Sequence, residues 1–170
     1  MSISNTFFRF ALAFSFFAVS SALLAEPTLE EVVVSARKVD ESVQDVPIAM
    51  SVFTSSDISD AGIERPEDFI ALTPNVVMAN TVNVGDTLVT IRGLTSTRDA
   101  ESNFAFVVDG VLQTNPNAFN RELLDIAQIE VLKGPQGALY GRNATSGAIL
   151  ITTKAPSEES ESTAVIGMGV

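Results

Sequence analysis

The chain contains neither cysteine nor histidine among its 170 residues. This composition excludes thiol nucleophiles, disulfides, histidine metal sites and every catalytic triad that uses imidazole as its base. Ser35-Ala36-Arg37-Lys38 matches the Ser-x-x-Lys pattern of serine acyl-transfer enzymes, but no Ser-Asp-Asn or Lys-Thr-Gly follows it. Only carboxylates, hydroxyls and basic side chains remain for chemistry. The sequence therefore predicts a protein that is not an enzyme.

The glycine-rich stretch from Gly134 to Gly147 is the other segment that could do chemistry. A phosphate-binding P-loop requires a Gly-Lys pair, which the chain lacks, and the dinucleotide pattern Gly-x-Gly-x-x-Gly is also absent. A net charge of -11 opposes binding to nucleic acid or to anionic lipid. No cofactor and no metal are therefore predicted, and we expect these glycines to permit tight turns or close backbone approach.

The N-terminus has the layout of a secretory signal peptide. Arg9 precedes 16 uncharged residues, Phe10 to Ala25, of which 13 are apolar and three are serine. This run is short for a membrane-spanning helix, which needs about 20 residues. We predict a cleaved signal at residues 1–25, with an uncleaved anchor as the alternative.

A run of valines follows the predicted signal, at Val32–Val34 between charged residues. Three β-branched residues in a polar tail could pair as an added strand on the sheet edge of a partner. They could equally form the first strand of the domain itself, and the spacing does not separate these two interpretations.

Short strands and helices of one or two turns alternate along the rest of the chain. We predict strands at 46–53, 76–79, 88–92, 128–133 and 148–153, and short helices at 57–61, 66–72 and around Arg121–Asp125. An Asp109-Gly110 pair between β-rich runs predicts a hairpin with a type I′ turn. These elements indicate the α+β class, with a small mixed β-sheet, short helices and two long loops at 94–103 and 113–120, the kind of loop that often carries function.

The order of the sequence motifs is more specific than any one of them. They are Glu31–Ala36, Pro74-Asn75-Val76, Ile91-Arg92-Gly93, Val108-Asp109-Gly110, the long run Ile129–Ala144, and Gly147-Ala148-Ile149. In this order they resemble the N-terminal part of TonB-dependent outer-membrane receptors, a TonB box followed by a plug domain. The resemblance covers about residues 29–156. Lys133 stands where that family usually has Arg, and Ser146 where Gly is usual.

The resemblance implies a plug that fills a 22-stranded barrel in the outer membrane and binds ligand on its extracellular apices. TonB, an inner-membrane protein driven by the proton gradient, would pair with the box and pull to open a path. The cargo expected from the family is a ferric siderophore, with vitamin B12, other metal chelates and glycans as alternatives.

The resemblance also implies roles for individual residues. The TonB-binding residues would be Glu30, Glu31, Val32, Val33, Val34, Ser35 and Ala36. The residues expected to meet the barrel are Arg92, Lys133 and Arg142. The loop residues proposed as ligand contacts are Arg98, Asp99, Asn115 and Asn117.

The resemblance divides the chain into a signal peptide at 1–25, a flexible tail with the TonB box at 26–42, a plug domain at 43–156, and a linker with the start of a first barrel strand at 157–170. A barrel of about 22 strands of ~9–11 residues needs on the order of 200 residues. Only eight follow the acidic linker, Thr163 to Val170. We therefore expect a truncated chain that does not transport alone, with a free-standing periplasmic binding or TonB-interacting module as the alternative.

Overall fold

The structure is a computed structural model that describes residues 31–80, 87–96, 102–141 and 143–157. The predicted signal peptide lies outside these residues. Among the described residues, no helix is both long and apolar enough to cross a membrane.

A five-stranded mixed sheet forms the centre of the domain. Its strands, in spatial order, are β3 (Met50–Thr54), β9 (Ile126–Lys133), β10 (Gly147–Thr153), β7 (Phe104–Val108) and β8 (Val111–Gln113). β10 runs parallel to β7, and the other neighbouring pairs are antiparallel. β10 carries a continuous apolar run from Gly147 to Ile151, and β9 is buried from Ile129 to Leu132, as expected for strands that are covered on both faces. This architecture confirms the predicted α+β class.

The sheet separates two hydrophobic clusters, because side chains alternate between the faces of a strand. The first cluster is rich in phenylalanine: the Phe119 ring packs edge-on against Phe104 and Phe106, with centroid distances of 5.2 and 5.0 Å. The second cluster contains smaller side chains, among them Val34, Ala36, Leu132, Ala148 and Leu150. Two of these, Val34 and Ala36, come from the N-terminal part of the chain.

Two smaller sheets flank the central one. β4 (Val76–Asn80), β5 (Thr87–Ile91) and β6 (Leu94–Thr95) form an antiparallel meander, and β1 (Val33–Val34) pairs antiparallel with β2 (Glu41–Ser42). Residues 33–42 therefore fold against the domain, whereas the sequence placed them in a flexible tail.

Two short helices form where they were predicted, but the first starts at Ser55 instead of residue 57 and the second ends at Ala71 instead of Leu72. α1 (Ser55–Ala61) starts with a capping box between Thr54 and Asp57, and Gly62 ends it in the left-handed conformation. The hydrogen bonds from Thr54, first from its side chain and then from its backbone, lower the pKa of Asp57. α2 (Pro66–Ala71) has proline in its first turn.

The predicted hairpin is present. Asp109 and Gly110 have φ values of 48° and 77°, as a type I′ turn between β7 and β8 requires. Gly147, at the start of β10, meets a different requirement, because a Cβ there would collide with the Leu132 carbonyl oxygen.

Three other local predictions were wrong. The strand predicted at 46–53 starts at Met50 instead of Val46 and corresponds to β3. The helix predicted around Arg121–Asp125 does not form: Asp125 has a φ of 52°, which a right-handed helix cannot accept, and a 3-10 helix lies upstream at Pro116–Phe119. The loop predicted at 94–103 begins with β6, because Leu94 pairs with Ile91. A third helix, α3 (Gly137–Tyr140), forms one turn within the glycine-rich stretch.

Candidate functional site

The candidate site is built on residues 32–36, which we call the N-terminal segment. It lies across one face of the central sheet, with Val34 and Ala36 buried at 1% and 0% exposure, whereas Val33 is 49% exposed. This alternation is that of a strand with one face on a core. The segment is therefore docked by its even-numbered side chains.

Both main-chain edges of the segment are occupied. On one edge, Val34 pairs with Glu41 of β2 and the Val32 carbonyl accepts a 3.0 Å hydrogen bond from the Val43 amide. On the other edge, the Val33 carbonyl accepts a 3.0 Å bond from Gln128 Nε2. The Ser35 amide, on that same edge, donates to Glu130 Oε1 at 3.1 Å. A partner strand could therefore pair with the segment only after displacing one of these sets of contacts.

Tyr140 supplies a third side-chain contact. It ends α3, and its hydroxyl donates a 2.9 Å hydrogen bond to the Ala36 carbonyl. Lys38 Nζ lies 5.6 Å from the centroid of the same ring, at the turn where the chain leaves the segment. The glycine-rich stretch thus positions the aromatic side chain that holds the end of the segment.

Glu130 is an ionisable residue beside an apolar cluster. It is 2% exposed, and its Oε1 also accepts from Ser35 Oγ at 3.4 Å and from Gln128 Nε2 at 3.2 Å. Its Oε2 has no hydrogen-bond partner among the described residues. Burial raises the pKa of the Glu130 carboxyl, although the hydrogen bonds from Ser35 and Gln128 oppose this shift; the charge of Asp40 adds to it. Burial, together with the Glu130 charge, raises the pKa of Tyr140 to about 12.

A cleft of about 510 Å³ borders the segment on one flank. Ser35 and Lys38 lie at its rim, and Leu112, Tyr140 and Leu150 line its apolar wall. The segment is therefore supported by the sheet beneath it and by β2, but is not enclosed on this flank by the described residues.

Two of the predicted barrel-contact residues, Arg92 and Lys133, lie side by side and form what we call the cation pair. Arg92 and Gly93, with φ values of 50° and 82°, make the two-residue turn between β5 and β6. A Cβ added at Gly134 would lie 3.3 Å from Arg92 Nη1, which places the guanidinium beside the end of β9. Burial and the neighbouring Arg92 charge lower the pKa of Lys133.

The cation pair has no acidic partner within the described part of the chain. Lys133 Nζ donates to Ser51 Oγ at 3.0 Å and to the Pro74 carbonyl at 3.4 Å, and neither cation forms an ion pair with a described carboxylate. Such a pair of like charges favours an acidic partner. The third predicted residue, Arg142, lies outside the described residues.

The predicted ligand-contact residues are only partly described, because Arg98 and Asp99 lie outside the described ranges. Asn115 and Asn117 are exposed, and Asn115 Oδ1 accepts a 3.0 Å hydrogen bond from the Asn117 amide. This bond caps the 3-10 helix. The Asn115 side chain thus has a structural role that is independent of any ligand.

Asn103 connects the loops at this end of the sheet. Its side-chain amide donates to the Leu94 carbonyl at 3.1 Å, and its Oδ1 accepts from Ser96 Oγ at 2.8 Å. Its carbonyl accepts from Ser146 Oγ at 3.0 Å. The loop before β7 is therefore tied to the loop before β10.

The sequence analysis missed Gln128, Glu130 and Tyr140. One signal could have identified Glu130, a carboxylate inside the strand predicted at 128–133. Because side chains alternate along a strand, Glu130 shares a face with Leu132 and therefore points toward a core. No local signal connects these residues with the N-terminal segment, which lies 95 positions away from Glu130.

These features describe a small α+β module whose buried polar groups hold a short N-terminal strand. The chain belongs to the plug-domain family of TonB-dependent receptors, since the family model described as TonB-dependent Receptor Plug Domain matches residues 42–148. The resemblance inferred from the motifs is thereby confirmed.

The relatives of the chain include receptors and a transporter. The pesticin receptor of Yersinia pestis is 30% identical over 141 residues, which is 82% of this chain and 21% of that protein. The vitamin B12 transporter BtuB of Vibrio vulnificus is 30% identical over 148 residues, or 84% of this chain and 23% of that protein. The chain therefore spans about a fifth of the length of these relatives.

Solved structures share the fold. The ferric yersiniabactin uptake receptor FyuA from Yersinia pestis matches with a TM-score of 0.60 and 30% identity, over 66% of this chain and 18% of that one. The FpvAI–pyocin S2 complex matches with a TM-score of 0.63 and 21% identity, over 75% of this chain and 16% of that one, a likeness that bears on the fold alone.

Proposed function

We propose that this chain is the plug portion of an outer-membrane active transporter whose opening is driven by TonB. The observation that carries the proposal is the family match over residues 42–148, preceded by a strand-forming segment that docks on the plug. The exported location and the outer membrane follow as parts of the same proposal. The chain spans a fifth of its relatives, so transport is assigned to an assembly that includes a barrel.

The N-terminal segment, together with the preceding Glu30 and Glu31, is the proposed TonB contact. Glu30 lies outside the described residues. Strand addition takes its affinity from main-chain hydrogen bonds and its specificity from alternate side chains. Val33 presents one exposed apolar side chain, and Val34 and Ala36 become available once the segment leaves the sheet. Docking on the plug and pairing with TonB therefore compete for the same main-chain groups.

The cation pair is the proposed contact with carboxylates of the barrel, together with Arg142. Two adjacent cations without a described acid are unfavourable by themselves and become favourable beside an acidic wall. A buried pair of this kind acts as a geometric lock, because separating it leaves an uncompensated charge.

A ferric siderophore is the proposed cargo. Two relatives support it by name: the ferric yersiniabactin uptake receptor and the catecholate siderophore receptor Fiu of Escherichia coli, which is 28% identical to this chain over 123 residues. The vitamin B12 transporter supports the alternative cargo. Arg98, Asp99, Asn115 and Asn117 are the proposed ligand contacts.

The experiment that tests TonB coupling is binding of the full 170-residue chain to the periplasmic domain of TonB. Val33→Pro removes the main-chain N–H of a half-exposed residue, which a paired strand needs as a hydrogen-bond donor. We therefore expect the affinity of the chain for TonB to fall about tenfold or more. Val33→Thr keeps the donor and the β-branched shape, and serves as the matched control.

Two results would contradict the assignment. One is wild-type affinity in Val33→Pro, because the segment would then not be the strand that pairs. The other is an absence of binding by the wild-type chain and by both variants.

A further inference from the structure

We propose that Glu130 is the positioning residue that holds the N-terminal segment on the plug, by occupying one of the two main-chain edges on which a partner strand could pair. The inference deepens the proposed function, since its consequence for energy coupling rests on TonB pairing with that segment. The docking itself is measurable without TonB.

The position of β9 in the sheet limits how the segment can be held. β9 is paired along both edges, with β3 on one side and β10 on the other. From Gln128 to Leu132 both edges of β9 are occupied, so a segment that crosses this part of its face must be held by side chains. Gln128 and Glu130 supply them, two positions apart and therefore on the same face of the strand.

Glu130 holds the segment through its main chain. Its Oε1 accepts from the Ser35 amide and from Gln128 Nε2, which also donates to the Val33 carbonyl. Hydrogen bonds to a carboxylate are stronger than neutral ones. The two side chains together occupy a donor and an acceptor on one edge of the segment.

The two oxygens of the Glu130 carboxylate differ in their hydrogen bonds. Oε1 has three donors, whereas the buried Oε2 has no partner among the described residues. An apolar side chain of similar size would fill the cluster without leaving an unsatisfied oxygen, and such replacements are often neutral or stabilising. The unsatisfied oxygen indicates that the main role of Glu130 is to hold Ser35 in place, and that it adds little to the stability of the sheet.

The charged and titratable groups around Glu130 do not replace this contact. The Asp40 charge acts against the charged carboxylate, and Tyr140 is neutral with its hydroxyl directed to Ala36. Lys38 lies over the Tyr140 ring. The Ser35 amide is thus held by Glu130 alone among the contacts of the described residues.

The test compares Glu130→Leu with Glu130→Gln in the full chain. Amide hydrogen exchange is measured at residues 33–36, and unfolding by urea is measured in parallel. For Glu130→Leu we expect exchange at Ser35 to rise about tenfold or more, with an unfolding midpoint that is unchanged or higher. Glu130→Gln keeps an acceptor oxygen and should retain most of the protection.

Faster amide exchange at Ser35 with an unfolding midpoint that is unchanged or higher would show that Glu130 positions the segment and is not simply a residue that stabilises the core. Unchanged protection at Ser35 in Glu130→Leu would overturn the proposal. So would a lowered midpoint with faster exchange across the whole sheet, because Glu130 would then be a core residue of the ordinary kind.

Ser35→Pro gives a second, independent test. It removes the donor and leaves the carboxylate in place, so it is expected to release Val34 and Ala36 while the amides of β9 and β10 keep their protection. Retained protection at Val34 and Ala36 would overturn the proposal. Binding of TonB by the same variants tests the proposed function separately: release of the segment without any gain in TonB binding would support the role of Glu130 and contradict the coupling.

Discussion

The two faces of the central sheet are buried in different ways. One face is covered by interlocking aromatic rings, with Phe69, Phe104, Phe106 and Phe119 in one cluster. The other face is covered by a short segment whose main chain is held by Gln128, Glu130 and Tyr140. The face covered by close-packed rings can be exposed only when the domain unfolds. A segment held by a few polar contacts can instead dissociate from its face while the sheet stays folded. We therefore expect one face of the plug to stay packed for as long as the sheet is folded, and the other to release its segment while the sheet stays folded.

The largest effect is expected on the phenylalanine face. Phe69 is fully buried and its ring centroid lies 6.3 Å from those of Phe53 and Phe119. Phe69→Ala should lower the free energy of unfolding by about 3–5 kcal/mol, because it removes a large apolar side chain and leaves a cavity. Urea denaturation of the full chain measures this change. A loss below about 1 kcal/mol would show that this face is not the main core.

A smaller effect is expected on the N-terminal segment. Val34→Ala removes two buried methyl groups and should cost about 1–2 kcal/mol of docking, seen as faster amide exchange confined to residues 33–36. Val33→Ala, at a half-exposed position on the same strand, is the matched control and should change exchange little. Equal effects of the two variants would contradict the docked orientation.

The smallest effect concerns pH. The pKa of Glu130 is raised in the folded state, so the folded chain binds more protons than the unfolded chain once the pH exceeds the ordinary value of 4.5. The contribution of Glu130 to the free energy of unfolding is therefore fully present below pH 4.5. It is lost as the pH rises through the raised pKa of Glu130 in the folded state. The free energy of unfolding of the wild type, relative to Glu130→Gln, should fall across this window.

Phe69→Ala provides the control for the pH experiment, because Phe69 packs in the phenylalanine-rich cluster and Glu130 faces the other one. It should lower stability while keeping the pH dependence of the wild type. Identical pH profiles for the wild type and Glu130→Gln would mean that Glu130 is not desolvated in the folded state.

Local signals predicted the elements whose structure is decided locally. Asp57 completes the capping box of α1, Pro66 starts α2, and Asp109-Gly110 makes the tight hairpin, and each of these depends on residues within a few positions. The N-cap Thr54 was not predicted. The helix expected at Arg121–Asp125 failed because tertiary packing places Phe119 in the aromatic cluster and leaves Asp125 with a positive φ.

The candidate site could be predicted only in part. The valine pattern predicted a strand in the N-terminal segment, which the structure contains. The family resemblance pointed to Arg92 and Lys133 as barrel contacts; the two residues lie side by side, and their role stays a prediction. The docking of the segment depends on contacts between residues about 95 positions apart, for which a single sequence carries no periodic signal. Glu130 therefore read as part of a strand and not as the residue that holds Ser35.

The most direct measurement is amide exchange at Val43 in the full chain, with and without the periplasmic domain of TonB. In the docked state the Val43 amide donates to the Val32 carbonyl at 3.0 Å. If TonB takes the segment as an added strand by releasing it from the plug, Val43 should lose protection while residues 33–35 remain protected by the new partner. If TonB binds and the exchange of Val43 and of residues 33–35 is unchanged, the segment is not the coupling strand and the account is wrong.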